Sequence, residues 1–371
     1  MAAHALPHHG AADRLALIDQ ARRRFLLARE AGPAPALAPW LQRSWQRCLE
    51  RGLEPTRAVE FQAVTPSGVR QALEHNQWLL QAAAPVLRSL SRAVAHTRYF
   101  TLLTDARGVV IDVNGPIDHQ DPRATRIARV GLDLSEATVG TTAIGATLAE
   151  QQPVWLHRGE HFFDDTSVYS CAGAPIWGPG GKCVGMLDLT GVAVPEQPAL
   201  KHLVSQAART IENALTLAQP HELLLRLNWP GRVLGDDSDG LVCLDADGQI
   251  TGLNRPAAEM LDIAPGTPPG HASAHFALPI DGLFDAARHG KAGTELPLWS
   301  GLRVQVLAQT RRDATPGQRR SASAHGLPLK DVETALIRKA VDDAGGNVMD
   351  AARALGISRA TLYRKLNAKR R

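Results

Sequence analysis

The sequence predicts an α+β multidomain protein: a helical N-terminal region, a mixed α/β domain, a smaller α/β unit and a short all-α domain at the C-terminal end. Three observations predict it. At 371 residues the chain is long enough for two or three domains. Apolar spacing is helical before residue 99, then breaks into short β-rich runs parted by glycine and proline turns. A Pro/Gly/Arg/Ser-rich stretch at about 310–326 offers little that can pack, and it parts the body from the last helices. Hydrophobic residues make up 44% of the chain, which argues against wholesale disorder.

Taken in order, residues 1–12 are polar and Ala-rich. His4, His8 and His9 there are read as a frayed terminus, with metal binding the sharper alternative. The helical region is 13–98. Helices are expected over 13–30 and 39–51, either side of the breaker AGPAPALAP, and one long helix over 66–98. Pro66 suits its first turn; Val69, Leu73, Leu79, Leu80, Val86, Leu87 and Leu90 form its apolar face, and Pro85 marks where it would kink. The mixed domain is 99–219. Phe100–Asp112 holds two β-rich pieces around Asp105-Ala106-Arg107-Gly108, a hairpin signal. A helix at Val139–Gln151 and a strand at Pro153–His157 follow. Strands Val168–Trp177 and Cys183–Leu189 join through the turn at 178–181, and the amphipathic helix Leu200–Leu217 closes the unit. The smaller unit is 221–308. It has strand, Asp247-Gly248 turn and strand over Leu241–Thr251, a helix at Asn254–Leu261 and a returning strand at Leu296–Val306. A linker at 309–327 leads to the last domain, 328–371.

Net charge is +4, so the location of charge matters more than its sum. From Ser358 to Arg371 there are six basic residues and no acidic one, which points to a polyanion partner at that end. The four cysteines form no C-x-x-C pair, the N-terminus lacks a signal pattern, and no apolar run approaches the roughly 20 residues needed to span a bilayer. The expectation is a cytoplasmic protein with no membrane partner.

In the last domain, Val332, Leu336, Ile337, Ala340 and Val341 line one helix face, which Gly345-Gly346 stops. Asn347 caps a second helix to Leu355, Gly356 makes the turn, and Ser358 caps a third helix, Arg359–Ala368. Ala351 and Ala352 allow close approach, and Ile357, Leu362 and Leu366 are placed to bury. This leaves Arg359, Thr361, Tyr363, Arg364 and Lys365 outward, as on a recognition helix entering the major groove. The DNA-binding candidates are Ser358, Arg359, Thr361, Tyr363, Arg364 and Lys365. Arg359 suits guanine, and Thr361, Arg364 and Lys365 suit phosphates. A plain solvated basic helix is the blander reading.

The strings Gly346-Asn347, Ala351-Ala352, Leu355-Gly356-Ile357-Ser358-Arg359 and Thr361-Leu362-Tyr363-Arg364-Lys365-Leu366 resemble the Fis-type helix-turn-helix that ends many sigma-54-dependent activators. That resemblance implies a homodimer on a two-fold operator of double-stranded DNA. Val332, Leu336, Ile337 and Val341 are then dimer-core candidates or, alternatively, the seal of a monomer core. Ser44-Trp45-Gln46-Arg47-Cys48 with Gly52-Leu53-Glu54-Pro55 is similar to the opening of the acetoin/glycerol-metabolism regulator family. Gly140-Thr141-Thr142-Ala143-Ile144-Gly145, Gly159-Glu160-His161-Phe162, Cys171-Ala172-Gly173-Ala174-Pro175-Ile176 and Gly185-Met186-Leu187-Asp188-Leu189-Thr190-Gly191 resemble its GAF sensor. Residues 233–308 are similar to its PAS-like unit. The implied fold class is therefore a GAF-type α/β sensor, a small PAS-like α/β unit and an all-α Fis-type helix-turn-helix. The chain departs from the family in one respect. It has no Walker A string, G-x-x-x-x-G-K-[ST]; Gly181-Lys182-Cys183 lacks the leading glycine and the Ser/Thr and is read as a hairpin turn. No GAFTGA-like loop is present either, and the linker stands where the AAA+ ATPase would be.

Within the sensor, Thr141, Thr142, Ile144, Trp155, Tyr169 and Cys171 are the ligand-lining candidates, from their places near strand and helix ends. They suit a small carbonyl or polyol compound or, alternatively, are core and dimer residues with no ligand, and binding of a partner protein by the sensor's surface is the third reading. The loop Glu160-His161-Phe162-Phe163-Asp164-Asp165 is read as a turn and helix cap, with metal binding the alternative. No catalytic residues, metal or cofactor are expected, and only fold analogy would support an enzyme. Two functions stay open. One is a DNA-binding transcriptional regulator with a small-molecule effector and an RNA polymerase contact. The other is an interaction protein that pairs with sigma-54 activator relatives or a metabolic enzyme.

Overall fold

The computed structural model describes residues 11–29, 37–288 and 293–310. The chain divides into two units, Met1–Asp313 and Ala314–Arg371. The second, with the expected recognition helix, lies outside the described residues, as do His4, His8 and His9.

The first unit contains two five-stranded antiparallel sheets. In the first, β1 (Tyr99–Asp105) and β2 (Val110–Asn114) form the expected hairpin. The Asp105 carboxylate makes the turn by accepting the Arg107 and Val109 amides at 2.9 and 3.0 Å. β3 (Val154–His157), β4 (Tyr169–Trp177) and β5 (Cys183–Val192) complete the order β2-β1-β5-β4-β3. Every residue of β1, β3 and β4 is buried, because both faces of this sheet are covered.

On one face Tyr99, Leu103, Ala172, Ala174, Ile176, Leu187 and Leu189 meet two long helices, α4 (Gln77–Ala93) and α8 (Leu200–Leu217). On the other face Phe100, Leu102, Cys171 and Met186 meet α2 (Pro39–Glu50), α6 (Glu136–Val139) and α7 (Ala143–Glu150). The N-terminal α1 (Ala11–Arg22) runs into a π-helical turn, Arg23–Leu27, whose Leu26 joins this second core. The short α5 (Pro122–Ile127) closes the same side.

Two expected helices are each two helices. The 66–98 segment is α3 (Pro66–His75) and then α4, which runs through Pro85 unbroken and ends at Ala93. The break falls at buried Asn76, whose amide donates to the Ala72 carbonyl at 2.8 Å and so competes with the backbone ladder. The 139–151 segment is split at Gly140, which has φ +63°. A Cβ there would stand 2.9 Å from the Phe163 ring, so only glycine fits.

The second sheet has the order β8-β7-β6-β10-β9. Its strands are β6 (Leu223–Asn228), β7 (Gly240–Leu244), β8 (Ile250–Leu253), β9 (Thr294–Pro297) and β10 (Arg303–Thr310). Asn254 caps α9 (Arg255–Met260), and α10 (Ile280–Arg288) packs on the sheet through Leu283 and Ala287. The single strand expected at Leu296–Val306 is a hairpin, β9 and β10, turning at Gly301 with φ +82°. The strand β6 was not expected: a short leucine-rich run carries no periodicity of its own.

Candidate functional site

A cavity of about 30 Å³ lies between the first sheet and the elements over its α7 face. Apolar walls come from Leu102, Ile127, Leu134, Val139 and Ile144, and polar groups converge from β4, β5 and the 158–166 loop. The central one is Asp188 on β5, only 1% exposed. Its Oδ2 accepts the Thr190 hydroxyl, and its Oδ1 has no hydrogen-bond partner among the described residues. Because Thr190 donates to Asp188, its oxygen is left to accept from the Cys171 thiol, 3.3 Å away. A wired chain results: Cys171 to Thr190 to Asp188. Burial pushes the Asp188 carboxyl up to about 7, with the Thr190 hydroxyl opposing. Burial also raises the Cys171 thiol well above its usual range, so it stays protonated and is a poor nucleophile.

His161 faces the same cavity and is 1% exposed. Its Nδ1 stands 2.9 Å from the Arg158 carbonyl, which can only accept, so Nδ1 carries the proton. Burial pulls the imidazole down to about 4, so the ring is neutral at pH 7 and its Nε2 is a bare acceptor. That Nε2 also has no partner among the described residues. Two of the residues lining the cavity, on different elements, thus carry a buried atom with no partner among the described residues, Asp188 Oδ1 and His161 Nε2. A buried polar group without a bond is costly, and two of them around one cavity call for an explanation.

Phe61 lines both this cavity and an open outer groove of about 650 Å³ formed with Val59, Thr125, Arg126, Arg129 and Asp165. The Arg126 guanidinium lies 5.9 Å from the Phe61 ring centre. One aromatic side chain therefore stands between the buried cavity and the surface.

The cavity walls are held from outside by the N-terminal helices. The Arg22 guanidinium donates to the Gly159, His161 and Phe162 carbonyls and to Asp164. Trp45 Nε1 donates to the Glu160 carbonyl at 2.9 Å. On α6, Glu136 accepts from Ser44 at 2.7 Å, from Arg47 at 2.7 and 2.8 Å and from Arg51 at 3.2 Å. Arg47 also reaches Glu150 on α7 at 2.7 Å. The residues of the Ser44–Cys48 string therefore clamp α2 onto α6 and α7.

Of the six lining candidates, Thr142, Ile144, Tyr169 and Cys171 come together here. Thr142 does two jobs, since its hydroxyl also caps α7 through the Gly145 amide at 3.2 Å. Thr141 and Trp155 are not among the lining residues. Thr141 is taken up by the α2 clamp, 2.8 Å from Ser44 Oγ. Trp155 belongs to the core on the α8 face, with its Nε1 donating to Glu196 at 3.3 Å. Asp188, Thr190 and His161 were missed, although a carboxylate inside an otherwise apolar strand is a signal in itself. Residues 160–165 form a turn and a short 3₁₀ helix, with Asp165 accepting the Val59 amide at 3.1 Å. Among the described residues no group of three or more His, Cys, Asp or Glu is placed to hold a metal. No described helix is long and apolar enough to cross a membrane. The DNA-binding candidates Ser358, Arg359, Thr361, Tyr363, Arg364 and Lys365 lie outside the described residues.

Residues 16–213 match the family model described as "MimR, N-terminal domain", and residues 328–368 match "Bacterial regulatory protein, Fis family". The chain is 32% identical over 238 residues to the acetoin catabolism regulatory protein of Cupriavidus necator, covering 62% of this chain and 35% of that protein. It is 31% identical over 258 residues to the propane 2-monooxygenase operon transcriptional activator MimR of Mycolicibacterium goodii, covering 66% and 41%. It therefore spans about two fifths or less of the length of these relatives, which are by name a regulatory protein and a transcriptional activator. Among solved structures, the Escherichia coli DhaR(N)–DhaL complex has a chain that aligns over 73% of this one and 99% of its own length, at 15% identity and a TM-score of 0.45.

Proposed function

The chain belongs to the MimR N-terminal-domain family, and from that premise we propose that it is a DNA-binding transcriptional regulator whose first sheet forms a GAF-like sensor, residues 99–219, for a small effector. The PAS-like unit at 221–308 follows, and the Fis-type helix-turn-helix at 328–371 binds a two-fold operator as a homodimer. The observation that carries this reading is the Fis-family match on a chain whose family-matched region holds a cavity lined by two residues that each carry a buried atom with no partner among the described residues.

The cavity chemistry narrows the effector. His161 Nε2 is an acceptor and Asp188 Oδ1 is an acceptor when ionised, so a molecule bearing hydroxyl donors completes both. At about 30 Å³ the cavity as it stands takes a water-sized molecule. A larger effector has to move a wall, and the movable walls are Phe61 and the 158–166 loop. Because Arg22 ties that loop to α1, such a movement is felt outside the sensor. A ligand-driven shift requires a contact that differs between two states, and the Arg22 contacts are the ones proposed to differ.

Residues 309–327 alone separate the PAS-like unit from the Fis-type segment, and the sequence holds no Walker A string. We therefore propose action without ATPase activity: by occupying DNA, by contacting RNA polymerase, or by interfering with an ATPase-bearing relative. The deciding experiment is genome-wide recovery of DNA bound by the intact protein beside an Arg359→Ala, Arg364→Ala double variant. Discrete two-fold sites that vanish in the variant support the regulator. Identical recovery, or no sites, overturns it and leaves the interaction protein that pairs with sigma-54 activator relatives.

A further inference from the structure

The two sheets meet at the β4–β5 turn. Leu253 N donates to the Pro179 carbonyl at 3.0 Å, and Gly266 N donates to the Gly181 carbonyl at 2.9 Å. The turn is thereby sewn to the end of β8 and to the loop after α9. At this junction lies a second cavity, of about 100 Å³, walled by Trp177 from β4 and by Leu253, Ala258, Ile263, Pro265 and Pro269 from the second sheet's side. Its volume is of the same order as the roughly 150 Å³ that suffices for a benzene ring.

Trp177 is 9% exposed, and its indole N–H is out of water with no acceptor among the described residues. Three other tryptophans satisfy theirs: Trp45 on the Glu160 carbonyl, Trp155 on Glu196 and Trp299 on the Ser273 carbonyl. Indole nitrogen only donates, so the missing partner must be an acceptor. The ring itself is fixed. The Arg255 guanidinium lies 4.9 Å from its centre, and the Trp177 backbone amide is bound to Glu212 at 2.9 Å. Arg255 is in turn paired with Glu259 at 2.9 Å, so the charged groups at the wall cancel and neither sign of ligand is called for.

We propose that this junction cavity is a second small-molecule site, for a compact, uncharged and mostly apolar molecule whose ketone or ether oxygen reaches the sealed Trp177 Nε1 as the wall beside the indole gives way. Its walls come from both sheets' sides, so an occupant bridges the sensor and the PAS-like unit. This site is separate from the Asp188 cavity and stands whether or not that cavity binds an effector.

The test uses the full chain labelled with ¹⁵N-tryptophan, the Trp177 indole signal being assigned with Trp177→Phe. Titration with cyclohexanone is expected to move the Trp177 indole N–H downfield and to leave the other indole signals in place. Ala258→Phe fills the cavity and abolishes the shift. Ala264→Phe, an exposed position on the same cavity, does so again, and unchanged signals from the other tryptophans show that each variant is folded. An unmoved Trp177 signal at the solubility limit of cyclohexanone overturns the proposal. A shift that survives both filling substitutions overturns it equally.

Discussion

Arg22 of the N-terminal helix and Asp164 of the cavity-wall loop form an ion pair at 2.5 Å between residues 142 apart in sequence. The Asp164 side chain is 59% exposed, so the ion pair itself contributes little. The weight falls on the three carbonyls that the same buried guanidinium satisfies. Arg22→Ala is expected to cost roughly 2–4 kcal/mol of stability, because those carbonyls lose their donors. Arg22→Lys keeps the charge but not the planar fork and should fall between. Urea unfolding measures the loss, and amide exchange across 159–164 should speed up in both variants. A loss under about 1 kcal/mol in Arg22→Ala would show that water replaces the guanidinium freely.

Asp188 makes a pH prediction with a definite sign. Burial lifts its carboxyl from 3.8 to about 7. Between those values the folded state binds more protons than the unfolded state, so this group's contribution to stability falls as pH rises and levels off above about 7. Asp188→Asn removes the titration. The stability of the variant relative to the parent should therefore improve by roughly 2–3 kcal/mol between pH 5 and pH 7.5. Urea midpoints of both proteins at the two pH values give the answer. A difference that stays constant with pH would mean that the carboxyl titrates near its ordinary value.

Glu136 is the anchor of the α2 clamp, and its side chain is 7% exposed with three donors on it. Glu136→Gln leaves Arg47, with a side chain 28% exposed, short of its main partner. The expected loss is about 2–4 kcal/mol, discounted below the fully buried case because Arg47 keeps Glu150. Arg47→Met strips a donor from two buried carboxylates at once, leaving Glu136 with Arg51 and Glu150 with Arg43, and should cost at least as much. If α2 exchanges its amides at the parental rate in Glu136→Gln, the clamp does not hold that helix.

The sequence was legible where a turn or a cap dictates local structure. Asp105-Ala106-Arg107-Gly108 marked the β1–β2 hairpin because Asp105 can accept two of the turn's own amides. It was illegible where two breakers compete. Pro85 was read as a kink, and helix α4 runs on through it, while the break, which was not foreseen, falls at Asn76. In the cavity, Tyr169 and Cys171 come together because residues two apart on a strand share a face. Trp155 was chosen for its place near a strand end, which does not say which face it takes. It pairs with Ala172 and so shares the α8 face, while Leu156 pairs with Cys171. Strand register is a tertiary fact, and a slip of one residue exchanges the faces.

The proposed recognition helix separates two kinds of contact, and salt dependence tells them apart. Phosphate contacts release counterions, so each one lost lowers the slope of log affinity against log salt by about 1. Arg364→Ala and Lys365→Ala should each show that change and weaken binding to all sequences alike. Arg359 is assigned to a guanine edge. Arg359→Ala should leave the slope nearly unchanged while relaxing preference at one base pair of each half-site by about 1–3 kcal/mol. Fluorescence anisotropy on an operator and on scrambled DNA, across a salt series, measures slope and preference together. Should Arg359→Ala lower the slope and spare the preference, Arg359 meets a phosphate, and the helix enters the groove rotated from the proposed orientation.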